Sequence, residues 1–172
     1  CRGLLDGRQP TTPPVTPPVT PPSSSNEDNL ALGNPSAATI SISSPDNYLL
    51  TKVQYSISYN NSKHIPNWVS WRCASEWIGS TGRQDNFRAD ATLPTSWFKC
   101  DSAEFSGSGF DRGHMCPSGD RTSSTADNSA TFLMTNMIPQ APNNNQFAWA
   151  DLENYCRSLI ASGNELYIIC GG

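Results

Sequence analysis

The stretch Phe110–Thr122 (FDRGHMCPSGDRT) concentrates residue types that can do chemistry. His114 is one of two histidines in the chain, and an imidazole with an ordinary pKa of about 6.5 suits a general base near neutral pH. Gly113, just before it, lets the backbone approach another group closely. Arg112 adds a planar, permanently charged donor of the kind that holds phosphate. A second group falls on one predicted helix, from about Asn144 to Ser162. At 100° per residue, Asn145 and Glu153 sit about 80° apart and Arg157 about 40° beyond Glu153. An amide oxygen, a carboxylate and a guanidinium then line one side of that helix. Oxygen donors that leave room for water suit Mg²⁺, and the guanidinium suits a phosphate. Each group alone also has a plainer reading. His114 can be a satisfied polar residue after a strand, and Glu153 and Arg157 an ordinary i,i+4 pair on a solvated face.

The elements that must position these groups show in the hydrophobic pattern. Tyr48–Tyr59 (YLLTKVQYSISY) is rich in β-branched and aromatic residues and reads as a strand. Asn60–Lys63 supplies turn chemistry, and Asn67–Cys73 (NWVSWRC) reads as the returning strand. Residues 79–110 are loop-like, and Ala130–Ile138 (ATFLMTNMI) reads as a buried strand. The helix carries an apolar stripe of Trp149, Leu152, Cys156, Leu159 and Ile160, and Gly163 stops it. Glu165–Cys170 (ELYIIC) is one more strand. His64 reads as an exposed turn residue. Trp68, Trp71 and Trp149 read as core rather than as platforms for bases.

Composition bounds the rest. The chain has 172 residues, 36% hydrophobic and 15% charged, with a net charge of −4. That charge excludes a broadly basic nucleic-acid binder; from Arg83 to Arg121 there are five basic and six acidic residues. Seven of the fourteen prolines lie between Pro10 and Pro22, so residues 1–30 read as a semi-rigid Pro/Thr/Ser-rich tether and residues 31–172 as the folded domain. No run of about 18 apolar residues predicts a transmembrane helix. Cys1 ahead of the tether resembles the lipid-carrying cysteine of a mature bacterial lipoprotein and implies an exported, membrane-anchored protein; an arbitrary start of the sequence is the alternative. The six cysteines form no CxxC pair, which argues against a zinc knuckle or a thioredoxin-type motif; disulfides and buried free thiols both stay open.

Four blocks, in order and with matching gaps, carry a family resemblance: RQDNFRADATLP (Arg83–Pro94), SGSGFDRGH (Ser106–His114), FDRGHMCPSGDRT, and TFLMTNMIPQAPNNNQFAWADLENYCRSL (Thr131–Leu159). From Tyr55 to Gly172 the chain resembles the DNA/RNA non-specific endonucleases, most closely the cyanobacterial sugar-non-specific branch. The resemblance implies an α+β fold: a ββα-metal (His-Me finger) core with a mixed or antiparallel sheet. The family domain continues past the strand at Glu165–Cys170 with further sheet and helix, so an incomplete fold, or a further chain that completes it, is expected. Cys116 stands where relatives often have a small residue.

The resemblance also implies roles. His114 would be the general base and Arg83 would stabilise charge on the phosphate. Asn145 would be the direct ligand of Mg²⁺, or of Mn²⁺, with Glu153 acting on the metal through water. Arg112, Arg121 and Arg157 are candidates for holding substrate or supporting the site; Asn136 is a further substrate candidate, although Asp111 and Asn136 read more readily as holding loops in place. The expected activity is hydrolysis of single- and double-stranded DNA and RNA to 5′-phosphate products. A proteinaceous inhibitor is an expected partner. The rival reading is a catalytically impaired domain acting as a nucleic-acid-binding or surface lipoprotein module. A sequence-specific HNH-type nuclease would bring a second histidine on the helix, and no histidine follows His114.

Overall fold

The computed structural model describes residues 28–171. The Pro/Thr run and Cys1 lie outside the described residues. A four-stranded antiparallel sheet has the order β1–β2–β3–β6, with β1 at Tyr48–Thr51, β2 at Ser56–Asn60, β3 at Ile65–Cys73 and β6 at Leu166–Gly171. A second, two-stranded antiparallel sheet pairs β4 (Asp111–His114) with β5 (Met137–Gln140). A short helix α1 (Thr125–Ala130) lies between these two strands in sequence. After β5 comes the long helix, which begins as a π-helical turn at Asn144–Trp149 and continues as α2 (Ala150–Ala161). β4, β5 and the long helix form the ββα unit. Among the described residues no helix is long and apolar enough to cross a membrane.

The expected single strand over Tyr48–Tyr59 is instead a hairpin, β1–β2, turning at Lys52–Tyr55. Nothing local announces that turn, which has no Gly, Pro or Asn. Its exposed carbonyls are satisfied from far away in sequence. Asn29 Nδ2 donates to the Lys52 and Val53 carbonyls, and Arg121 Nε donates to the Gln54 carbonyl at 3.0 Å. Asn29 is buried, and its Oδ1 also accepts from the Arg72 amide where β2 runs out beside β3. Asn29 is thus tied into the large sheet.

The expected strand at Ala130–Ile138 is also broken. Ala130 ends α1, Met134–Asn136 makes a 3-10 turn, and only Met137 onward is strand. The fully buried Asn136 side chain imposes the turn: Oδ1 accepts from the Cys116 amide, and Nδ2 donates to the Cys116 and Thr131 carbonyls. The burial expected there is real, since Phe132, Met134 and Met137 are all inside.

The core fills the space between one face of the large sheet and the segment that follows β4. Tyr55, Ile57, Val69, Trp71 and Cys73 meet Met115, Cys116 and Ile160 there. Trp68 and Trp71 are buried as expected, but Trp149 is only half-buried and its Nε1 has no partner. Of the predicted helical stripe only Ile160 is buried; Leu152 is 49% exposed. A cavity of about 240 Å³ separates Trp149, Leu152 and Cys156 from Ile168 and Cys170, so the helix meets the sheet mainly near its C-terminal end. The five described cysteines are free thiols, with Cys73 and Cys116 inside the core.

Candidate active site

Arg83, Arg112, His114, Ser118, Asn145 and Glu153 line one cavity of about 220 Å³. β4 supplies Arg112 and His114, the long helix supplies Asn145 and Glu153, and Arg83 and Ser118 come from the connecting segments. β4 ends at His114, opposite Met137 on β5. Gly113 is required by its neighbour: a Cβ there would meet the Gln140 side chain at 2.2 Å. The close approach it permits is thus to the paired strand rather than to a ligand.

The His114 ring is 8% exposed and packs edge-on against Phe132 and Phe87, with centroids 4.9 and 5.6 Å away. Its Nε2 is buried without a partner. An orphaned buried nitrogen is costly, so this atom is a seat for a hydrogen-bond donor such as water. Burial, and after it the charge of Arg83, pulls the imidazole pKa down to about 3, with Arg112 adding to the effect and Asp85 opposing it. The ring is neutral at pH 7 and able to accept a proton.

Asn145 stands at the first turn of the long helix. Its Nδ2 donates to Asp111 Oδ2 at 2.9 Å, as does Gln146 Nε2. Those two bonds hold the Asp111 carboxyl below its usual value and fix the Asn145 amide, leaving Oδ1 as its ligand atom. Glu153, two turns on, has its pKa pushed up to about 7, first by burial and then by Asp120. Arg157, whose Nη1 is 3.7 Å from Glu153 Oε2, opposes that rise without cancelling it.

The arginines divide into two groups. Arg83 Nη1 donates to Ser118 Oγ at 2.9 Å, its Nε pairs with Asp85 Oδ1 at 2.6 Å, and it lies 4.8 Å over the Phe132 ring. Asp85 sits at φ +50°, a left-handed conformation that Asp tolerates better than most residues. Arg112 lies 4.0 Å over the Phe87 ring and has no ion pair among the described residues. Both face the cavity. Arg121 does not: it is wholly buried, its guanidinium spent on the carbonyls of Gln54, Arg72 and Asp120 and stacked 4.3 Å over Trp77. Arg157 is committed to the buried Asp120 at 3.0 Å, which ties the helix to the Ser118–Asp120 turn. Asn136 is equally buried. Of the two roles open to Arg121, Arg157 and Asn136, holding substrate or supporting the site, these contacts favour support. Sequence reasoning passed over Asp85, Phe87, Phe132, Ser118 and Gln146; Asp85 and Phe87 lay in the RQDNFR block, while Gln146 and Ser118 offered no signal beyond adjacency to Asn145 and the DRGH stretch.

Fold and cavity together define the ββα-metal class. The family profile described as DNA/RNA non-specific endonuclease matches residues 33–172. A nuclease of Nostoc sp. is 58% identical over 142 residues, covering 83% of this chain and 52% of the relative. Nuclease C1 of Cunninghamella echinulata is 35% identical over 127 residues (71% and 50%). Mitochondrial endonuclease G of Homo sapiens is 32% identical over 125 residues (72% and 42%). Among solved structures, an EndoG/EndoGI complex matches with a TM-score of 0.72 at 23% identity, covering 89% of this chain and 60% of that one; this likeness bears on the fold. The chain belongs to the DNA/RNA non-specific endonuclease family. It spans about half the length of the curated relatives it matches.

Proposed function

We propose that this chain carries the catalytic site of a non-specific nuclease that hydrolyses phosphodiester bonds in DNA and RNA and leaves 5′-phosphates. The observation that carries the reading is the convergence of His114, Asn145, Glu153, Arg83 and Arg112 on one cavity. The donor set fits a hard divalent cation: an amide oxygen fixed through Asp111, and a buried carboxyl ready to lose its proton near pH 7. Asn145 would hold Mg²⁺ or Mn²⁺ directly and Glu153 would hold it through water. When bound, the cation supplies charge neutralisation at the leaving 3′-oxygen.

The chain's own residues do the rest. His114 Nε2 takes a proton from water, whose oxygen bonds to phosphorus as the bond from phosphorus to the 3′-oxygen breaks; the 3′-oxygen then takes up a proton. Arg83 donates to the phosphate oxygens as negative charge grows on them. Arg112 holds the substrate in line. All these contacts go to phosphate, which carries no sequence information. An anionic phosphate beside Arg83 and Arg112 also offsets their share of the His114 depression and so raises its pKa, while the larger share due to burial stays.

Supercoiled plasmid and RNA incubated with Mg²⁺, with EDTA, and with His114→Ala test the reading. Cleavage should need the metal and fall by roughly 10²- to 10⁴-fold in the variant. Tight nucleic-acid binding without cleavage by the wild-type chain would instead favour the binding-module reading. The likeness to EndoG in its inhibited complex supports a protein inhibitor as a further partner.

A further inference from the structure

The catalytic cavity does not stand alone. Arg83, Arg112 and Asn145 also line a larger recess of about 500 Å³. Phe105 and Phe110 line that recess and, on their other side, a third one of about 310 Å³ that reaches Phe98, His64 and Lys63. The three recesses thus adjoin in series through shared lining residues, a track whose end away from the reacting phosphate is an apolar hollow. Two phenylalanines converge on that hollow while staying in solvent, Phe98 at 48% and Phe110 at 52% exposed. Exposed single rings are common, but two on one recess, continuous with a phosphate site, are a surface kept for contact.

The hollow is also built. The turn after β2 holds His64 at φ +60°, with its amide donating to the Asn60 carbonyl at 2.8 Å. That places the imidazole 4.7 Å from the Phe98 ring, tilted by 44°. Lys63 stands on the rim, exposed and without an ion pair among the described residues.

We propose that this recess receives an unstacked nucleobase of the substrate strand, at the end of the track away from the scissile phosphate, sandwiched by Phe98 and Phe110, with Lys63 on a neighbouring phosphate. The inference rests on the nuclease reading and deepens it. Aromatic faces take any base, because every base has a π-face, so a stacking site adds affinity without adding base specificity. It does discriminate secondary structure. A base in a duplex is already paired and stacked and must be pulled out before it can enter. Unpaired DNA and RNA, and frayed or distorted duplex, are then the substrates that use the whole track.

The test is steady-state cleavage, with Mg²⁺, of a short single-stranded oligonucleotide and of the same sequence in a hairpin duplex. Wild type is compared with Phe98→Ala, Phe110→Ala and Phe98→Trp, each checked for folding by circular dichroism. In parallel, a single strand carrying 2-aminopurine is bound in EDTA and its fluorescence followed. The alanine variants should raise KM for the single strand roughly tenfold while kcat stays within about twofold and duplex KM is unchanged. Phe98→Trp should keep wild-type KM, and 2-aminopurine quenching should be lost in Phe98→Ala. Unchanged single-strand KM and unchanged quenching in both alanine variants would overturn the proposal and leave the recess to a protein ligand. An equal rise in KM for strand and duplex would overturn it too. If the wild type cleaves neither substrate, the nuclease reading fails, while quenching on binding still reports on the recess separately.

Discussion

At the residue scale, the structure separates charge that is free from charge that is spent. Arg112 and Arg121 look alike in the motif, yet one lies over Phe87 at the cavity wall and the other is sealed under three carbonyls. The neutral His114 has a measurable consequence. Its folded pKa, about 3, lies below the unfolded value of about 6.5. The unfolded chain therefore binds the proton first, and stability falls as pH drops from about 6.5 toward about 3. In EDTA, the melting temperature should decline across that window, and His114→Asn should flatten the decline. An identical acid slope in wild type and variant would show that the histidine is not buried neutral. Asp111 acts one step back from the reaction: Asp111→Ala frees the Asn145 amide to rotate. Metal affinity, measured by calorimetry, should then weaken by about 10- to 100-fold, with the fold unchanged by circular dichroism.

At the element scale, much was legible and the exceptions have physical causes. Periodicity located β3, β6 and the long helix, and the motif blocks named His114, Asn145, Glu153 and Arg83, all of which reach one cavity. The hairpin turn at Lys52–Tyr55 was hidden because Asn29 and Arg121 stabilise it from outside the local sequence. Asn136 gave no hint that its amide would replace strand pairing with a turn. The π-turn at Asn144–Trp149 was invisible to an estimate that assumes 100° per residue, and it changes the angle between Asn145 and Glu153. Such turns occur often at functional sites. Deleting Ala148 should convert the π-turn to α-helical spacing and change the angle between Asn145 and Glu153. Cleavage should then be lost while helix content, read by circular dichroism, is kept. Retained activity would mean that the π-turn does not set the site.

At the scale of the whole molecule, a net charge of −4 surrounds a cavity with two arginines facing it. Binding to duplex DNA should depend on salt with a slope of about −2 on a log–log plot, two phosphates at 0.9 each. A slope near −6 would reveal a basic surface outside the cavity. The helix contributes to this scale as well: Phe147, Leu152 and Tyr155 stay 64%, 49% and 61% exposed, an unusual share of apolar surface for one element.

Leu152 shares a cavity with β6, which pairs with β3 on one side only among the described residues. From Leu166 to Gly171 it has no charged residue, and Tyr167 and Ile169 are partly exposed. An uncharged strand edge whose outer amides and carbonyls face no other described strand is a place where a further strand can add, whichever segment supplies it. Ile169→Lys should hinder that addition, read as faster hydrogen exchange of the β6 amides.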